Sequence, residues 1–256
     1  MILLAKLSLV ALSMLSATWA GRRFGHRAVG LIAGLPLIMA PLVGLLVLDL
    51  PGERVADICL AALANFTACV AFIVIMAWVV VRFNWWQSLM LASAGFLAIT
   101  AVVQLLPLSS FWMAAIGLGA IAVGPYLVRR DTRIAGGVKV PMVEFICRLA
   151  VALGIAAAVL VLAPITAPMV SAILMSFPIN GSVLPAFTRA LYGGPAARNV
   201  LVGFGVGLRG VGLLLFVTAA GIQLLSLSKW LAYALALATA LAYAFWVWKA
   251  DATRVP

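Results

Sequence analysis

An all-α protein that crosses a membrane about nine times is what this sequence predicts, and three observations predict it. The chain is 66% hydrophobic and only 9% charged, whereas an ordinary soluble domain is roughly 45–50% apolar and about 25% charged. Apolar runs of about 20 residues, the length needed to span the hydrocarbon core, recur from one end to the other with short polar breaks. The 17 basic residues fall almost entirely in alternate breaks, the pattern that positive-inside topology produces.

The spans read 2–19, 29–49, 55–81, 85–105, 110–128, 143–163, 166–190, 198–226 and 229–248. The first, in "MILLAKLSLVALSMLSATWAGRR", has small residues near Ala20 like a signal peptide. Its only early positive charge is Lys6, however, and its arginines follow the run, so it is expected to stay as a span. Span 2 carries Pro36 and Pro41; span 3 follows "LPGER"; span 4 opens on Trp85 and Trp86, a pair suited to the membrane interface. Span 5 is apolar throughout. Span 6 holds Glu144 and Arg148 at the i,i+4 spacing of an ion pair. Span 7 is interrupted by "SFPINGSVLPAF", residues 176–187; span 8 is long enough to need tilt or a break; span 9 ends near Lys249.

With the N-terminus outside, the cytoplasmic segments hold Arg22, Arg23, Arg27, Arg82, Arg129, Arg130, Arg133, Lys139, Arg189, Arg198, Lys249 and Arg254. The outer loops hold only Arg54 and Lys229, while Lys6, Arg148 and Arg209 lie within spans. The net charge of +11 is therefore a set of caps on cytoplasmic helix ends that attract anionic lipid, and a nucleic-acid partner is not expected.

Shifting the chain against itself by 142 residues superimposes spans 1 to 4 on spans 6 to 9. Lys6 then meets Arg148, Pro36 meets Pro178, Gly52 meets Gly194 and Asp57 meets Asn199. Five spans separate corresponding elements, an odd number, so the halves would be oppositely oriented: a 4+1+4 inverted repeat. The units are residues 1–107, a connector span with its basic loop at 108–141, and residues 142–256. Inverted repeats are a recurrent transporter construction, with sites near the midplane where interrupted segments of the two halves meet. The corresponding segments here are "AGLPLIMAP", residues 33–41, and "SFPINGSVLP", residues 176–185. Each proline frees a carbonyl one turn back, near Ile32, Leu37 and Leu174, which must be buried in protein or face a wet cavity.

Candidate substrate-binding residues are accordingly Pro36, Pro178, Asn180 and Ser182 at the breaks, and Lys6, Arg148 and Arg209 as intramembrane cations. The structural alternatives are kinks accommodated by neighbouring helices, and snorkelling of Lys6 and Arg148 to the interface. Arg209, near the centre of span 8, is harder to place in lipid and calls for a cavity or a partner. Gly205 to Gly210 spells G-x-G-x-x-G but follows no strand, so it is no dinucleotide site. Gly203 and Gly207 instead form the G-x-x-x-G of close helix packing. Asp49, Glu53, Arg54 and Asp57 read as a solvated outer face or a vestibule.

No catalytic set is present: His26 has no carboxylate or cysteine beside it, and Cys59 and Cys69 are ten residues apart on one helix. An enzyme, a metal and a cofactor are thus not expected.

In each half a basic residue early in the first span, a mid-span proline in the second and a glycine-containing loop follow one another. Lys6, "GLIAGLPLIMAP" and "PGER" in the first half, and Arg148, "SFPINGSVLP" and "GGPAAR" in the second, resemble the GlpM family of small bacterial inner-membrane proteins, as if two units were fused. The resemblance implies a bacterial inner-membrane protein connected with exopolysaccharide production and without settled chemistry. The second half departs from it in Arg148 for the lysine, in its extra prolines and in Arg209. The expected function is a secondary transporter or permease for a small anionic solute or anionic lipid headgroup. The alternative is a non-transporting scaffold of an envelope polysaccharide or lipid assembly whose basic residues bind membrane lipids.

Overall fold

In a computed structural model, residues 6–9, 11–12, 26–128 and 141–252 are described. The chain is an all-α polytopic membrane protein. Its helices are α1 (His26–Gly34), α2 (Met39–Asp49), α3 (Gly52–Val79), α4 (Trp85–Leu105), α5 (Ser110–Val123), α6 (Met142–Leu162), α7 (Pro168–Ser176), α8 (Ile179–Tyr192), α9 (Gly194–Gln223) and α10 (Lys229–Ala252), with a 3₁₀ turn Gly124–Leu127 after α5. Among the described residues, eight stretches are long and apolar enough to cross a membrane. Most of the expected first span and residues 129–140, the loop expected to be cytoplasmic, lie outside the described residues.

Two expected spans are not single helices. Span 2 is α1 followed by α2, and span 7 is α7 followed by α8. Proline explains both breaks. Pro36 and Pro178 sit in the gaps, while Pro41 falls in the first turn of α2, where its missing amide costs no helical bond. The two gaps close with the same tight turn: Leu37 N–H donates to Leu35 O at 2.7 Å and Ile179 N–H to Phe177 O at 2.9 Å, positions that coincide under the 142-residue shift. Other boundaries follow ordinary capping chemistry. Pro168 and Pro195 open α7 and α9 in their first turns. Gly193, at φ +88°, makes the turn between α8 and α9 in a conformation that side chains rarely adopt. The Gln87 side chain accepts the Asn84 N–H at the start of α4, 3.2 Å away.

At the centre, α3 packs against α9, and these two helices carry most of the fully buried side chains. With 28 and 30 residues they are roughly 42 and 45 Å long, well beyond the roughly 30 Å hydrocarbon core, and so either tilt or reach through the headgroup region. Around them the contacts exchange between halves. α1 packs on α9, as α7 packs on α3; α2 meets α10, as α8 meets α4; α4 lies on α3, as α10 lies on α9. Helices α4, α5 and α10 present large apolar faces outward, including Leu97, Trp112, Leu241 and Phe245. That is where a bilayer would cover them.

The α1–α9 crossing rests on glycine. A Cβ at Gly30 would lie 1.9 Å from Val200 O, one at Gly34 2.3 Å from Phe204 O, and one at Gly207 2.8 Å from the Gly34 Cα. Gly207 thus packs as its G-x-x-x-G pattern predicts, against a second such pattern, Gly30 and Gly34, that the sequence reading did not single out.

Many of the polar contacts gather at the two ends of the bundle. At one end Lys6 Nζ meets the Asp49 carboxylate at 2.5 Å, Lys229 Nζ donates to Leu50 O at 2.8 Å, and Gln223 donates to Asp57 at 3.1 Å. There too Arg54 donates to Ala163 O at 3.3 Å and to Thr166 O. At the other end Arg198 donates to Ala77 O at 3.0 Å, Arg189 to Phe83 O at 3.2 Å, and Trp78 Nε1 to Leu127 O at 3.2 Å. The acidic cluster at residues 49–57 is therefore tied into loop contacts through Asp49 and Asp57, with Arg54 closing the α6–α7 connection.

Candidate functional site

Both breaks line one cavity of about 50 Å³, room for about three waters. From the first break come Ala33, Gly34, Leu35, Ile38 and Met39, and from the second Met175 through Asn180. Phe66 and Cys69 of α3 and Phe204, Leu208 and Val211 of α9 complete the wall. The lining largely exchanges under the 142-residue shift: Gly34 with Ser176, Leu35 with Phe177, Ile38 with Asn180, Phe66 with Leu208, Cys69 with Val211. A shared local pattern thus brings the two interrupted segments face to face.

Three side chains fix the second break. Asn180 Nδ2 donates across to Ala33 O at 2.8 Å, joining the start of α8 to the end of α1. Ser176 Oγ donates to Ile173 O at 3.0 Å and accepts from Asn65 Nδ2 at 2.6 Å. Phe177 wedges between α3 and α4, edge-on to Phe72 and Phe96 with ring centroids 6.4 and 5.5 Å apart. Asn65 is fully buried in the middle of α3. Sequence reasoning passed over it, although it is the one amide side chain in a 28-residue apolar helix.

Of the sequence-predicted residues, the structure gathers Pro178 and Asn180 at this cavity, while Pro36, in the first break, sets its ring against Gly210 of α9 and is not part of the wall. It turns the others elsewhere. Ser182 is buried, but its hydroxyl donates to Ile179 O at 2.9 Å within its own helix, the local back-bond serine makes readily. Arg209 faces the connector: it donates to Ala122 O at 2.8 Å and lies over the Tyr126 ring, 5.1 Å from its centroid. The freed carbonyl end of α5 and an aromatic face satisfy this cation without a cavity, which corrects the expectation of a shared pocket with span 7. Lys6 is held by Asp49. Arg148 is buried with Glu144, Nε to Oε1 3.1 Å, at the spacing read from the sequence. Of the carbonyls expected to be freed, Ile32 O accepts the Leu35 N–H at 3.3 Å.

The described cavity wall carries no Lys, Arg, His, Asp or Glu, and among the described residues no group of three or more His, Cys, Asp or Glu could hold a metal. What the site offers is dipolar. The carboxyl ends of α1 and α7 and the amino ends of α2 and α8 converge on it, bringing half-helix dipoles of both signs to one place. Such an arrangement can bind a small polar or charged group; it holds no acid–base or nucleophilic set. No family model matches the chain, and neither a curated protein nor a solved structure does.

Proposed function

We propose that this chain is a secondary transporter or permease of a bacterial inner membrane, acting on a small anionic solute or anionic lipid headgroup. One observation carries the reading: two proline-broken spans, 142 residues apart and closed by the same turn, line a single cavity between the most buried helices. That is how discontinuous helices serve transport, their amino ends facing an anionic group and their carbonyl ends a cation. In this reading the halves form a 4+1+4 inverted repeat, supported by the exchanged helix pairings. The N-terminus is outside, supported by the charge bias and by Lys6 meeting Asp49 at the end opposite to Arg198 and Arg189. Membrane lipids are its partners, with Trp85, Trp86 and Trp230 exposed at span ends as an aromatic belt. The GlpM-like pattern fits such a two-unit fusion. We propose no catalytic activity.

The anion now rests on the amino ends of α2 and α8 rather than on Arg209. The test is uptake of a panel of labelled organic and inorganic anions into proteoliposomes. Saturable uptake of at least one, lost in Asn180→Leu with insertion unchanged, is the expected result; no uptake of any, or full uptake in the variant, would overturn it. The second reading, a non-transporting scaffold of an envelope polysaccharide or lipid assembly, is favoured by the small size and mostly apolar wall of the cavity. It predicts no uptake and a stable complex with envelope components.

A further inference from the structure

A second cavity, of about 550 Å³, shares none of its described lining residues with the one at the breaks. It lies at the end of the bundle where α3 stops and α9 starts. Its wall sets two arginines, Arg82 and Arg198, beside an apolar surface that includes Trp78, Val81, Phe83 and Val128. The space is of the size that small ligands occupy, roughly 300–1,000 Å³.

Local chemistry builds this wall. Gly194 presses the start of α9 onto the last turn of α3, where a Cβ would lie 2.7 Å from Val80 O and 2.6 Å from Val81 Cα. One turn further along α9, Arg198 Nε donates to Ala77 O at 3.0 Å. That bond caps a carbonyl left over by the end of α3 and holds the guanidinium at the cavity. The neighbouring carbonyls are taken as well: Met76 O accepts the Val80 N–H, and Val79 O those of Arg82 and Phe83. Trp78 Nε1 is tied to Leu127 O at 3.2 Å, and Phe83 O accepts from Arg189 at 3.2 Å. Arg82 is exposed and, among the described residues, has no hydrogen-bond or ion-pair partner. No Asp or Glu stands among the described lining residues.

Packing does not require these cations. Under the 142-residue shift, Gly194 on Val80 corresponds to Gly52 on Ile222, and the structure makes that contact too, with a Cβ at Gly52 3.6 Å from Ile222 Cγ2. At that opposite end Arg198 corresponds to Ala56 and Arg82 to Leu224. The same junction of α3 with α9 is thus closed twice, once without charge. Positive-inside topology accounts for basic residues at this end, but not for two of them in one cavity beside exposed aromatic surface.

That combination selects an amphiphile. Guanidinium groups hold phosphate oxygens through paired, charge-assisted hydrogen bonds, whereas a water-soluble phosphate makes no use of the apolar part of the wall. Trp78 and Phe83 keep 65% and 42% exposure, and Trp85 and Trp86 follow them at the start of α4, aromatic side chains suited to headgroup level. Basic pockets between spans on the cytoplasmic side bind anionic headgroups. A zwitterionic lipid would bring its own cation against the arginines. We propose that this cavity binds the headgroup of one anionic phospholipid, with Arg82 and Arg198 toward the phosphate and Trp78 and Phe83 toward the glycerol and the first acyl carbons. The proposal rests on the reading of membrane lipids as partners of the chain and not on transport.

The test is native mass spectrometry of the purified full-length protein, counting the lipid it retains from mixed micelles with equal amounts of phosphatidylglycerol and phosphatidylcholine. Preferential retention of phosphatidylglycerol, at about one molecule per chain, is expected. Arg82→Gln, at an exposed residue without a structural partner, should lower that retention at least about tenfold, as loss of a charge-assisted hydrogen bond does. Lys249→Gln removes the same charge from an exposed residue outside the cavity wall, at the end of α10. It should leave retention within about twofold of wild type, because a remote exposed charge is screened. Equal losses in the two variants would reduce the cavity to diffuse attraction and overturn the proposal, as would a wild type without preference for phosphatidylglycerol. Displacement by an equal concentration of glycerophosphoglycerol, the headgroup without its chains, would assign the cavity to a soluble phosphate ester and overturn it too. Anion uptake in proteoliposomes without lipid retention would remove this inference and leave the transport reading; retention without uptake of any anion would do the reverse.

Discussion

Replacing Gly30 by alanine sets two known effects against each other at a place where the structure decides the winner. Alanine in a helix interior is favoured over glycine by about 0.8–1.0 kcal/mol, so propensity alone predicts a more stable protein. At Gly30, however, the new Cβ would lie 1.9 Å from Val200 O and 2.7 Å from Val200 C. Both are backbone atoms of α9, so no rotamer change can relieve the contact. Ordinary non-bonded separation requires α1 and α9 to part by about 1.5 Å. Overpacking of this kind costs about 1–3 kcal/mol. Parting also draws Ala33 O away from Asn180 Nδ2, 2.8 Å distant, and losing that bond costs about 1 kcal/mol. After the propensity gain, the net destabilisation is about 1–3 kcal/mol. The matched control is Gly154→Ala in α6, where a Cβ meets nothing within 4 Å and propensity should act unopposed, giving a neutral or slightly stabilised protein. Equilibrium unfolding in mixed micelles, with a denaturing detergent as titrant, compares the two directly. Equal stability of Gly30→Ala and Gly154→Ala would refute the close α1–α9 crossing, and with it the geometry that brings the two breaks to one cavity.

Arg209→Gln should keep anion uptake within about twofold of wild type, because its partners are Ala122 O and Tyr126 on the connector rather than the cavity; abolished uptake in a stably inserted protein would return Arg209 to the site. Arg148→Met should destabilise by about 3–5 kcal/mol, since Glu144 is left as a buried charge, while Glu144→Gln combined with Arg148→Met should recover most of the loss; unfolding measurements that find the double variant no better than the single would contradict the pairing. Single cysteines at Ser109 and Gly136, in a background lacking Cys59, Cys69 and Cys147, should react with an impermeant thiol reagent from opposite sides, Gly136 from the cytoplasm; labelling from one side would end the proposed topology.

Much of the architecture was legible in the sequence because lipid imposes simple rules. A bilayer demands about 20 apolar residues per crossing and internally satisfied backbone, so the spans could be placed from hydropathy alone, and the helices α3, α4, α6, α9 and α10 begin within a few residues of where composition put them. The breaks were legible for the same reason. Proline removes a donor wherever it stands, and Pro36 and Pro178 interrupt spans 2 and 7 as their chemistry requires. The i,i+4 pair of Glu144 and Arg148 is local geometry, visible in a string of letters.

Partner choice across helices was not legible. Arg209 looked destined for the broken span because a central cation needs company, but company is chosen by helix rotation and neighbour order, which hydropathy does not encode. The fold gives it Ala122 O and Tyr126 instead. Ser182, two residues from Asn180, closes instead on its own helix through a local back-bond to Ile179 O. Asn65 escaped notice because a lone amide in an apolar helix has no motif around it; only the crossing of α7 over α3 makes it the partner of Ser176. The sequence by itself determined that the chain is an all-α membrane protein of many spans, where it breaks and where its charge gathers, since these follow from solvation of single segments. The tertiary structure decided which broken ends share a cavity and which polar atoms remain there, since that depends on contacts between residues more than a hundred positions apart.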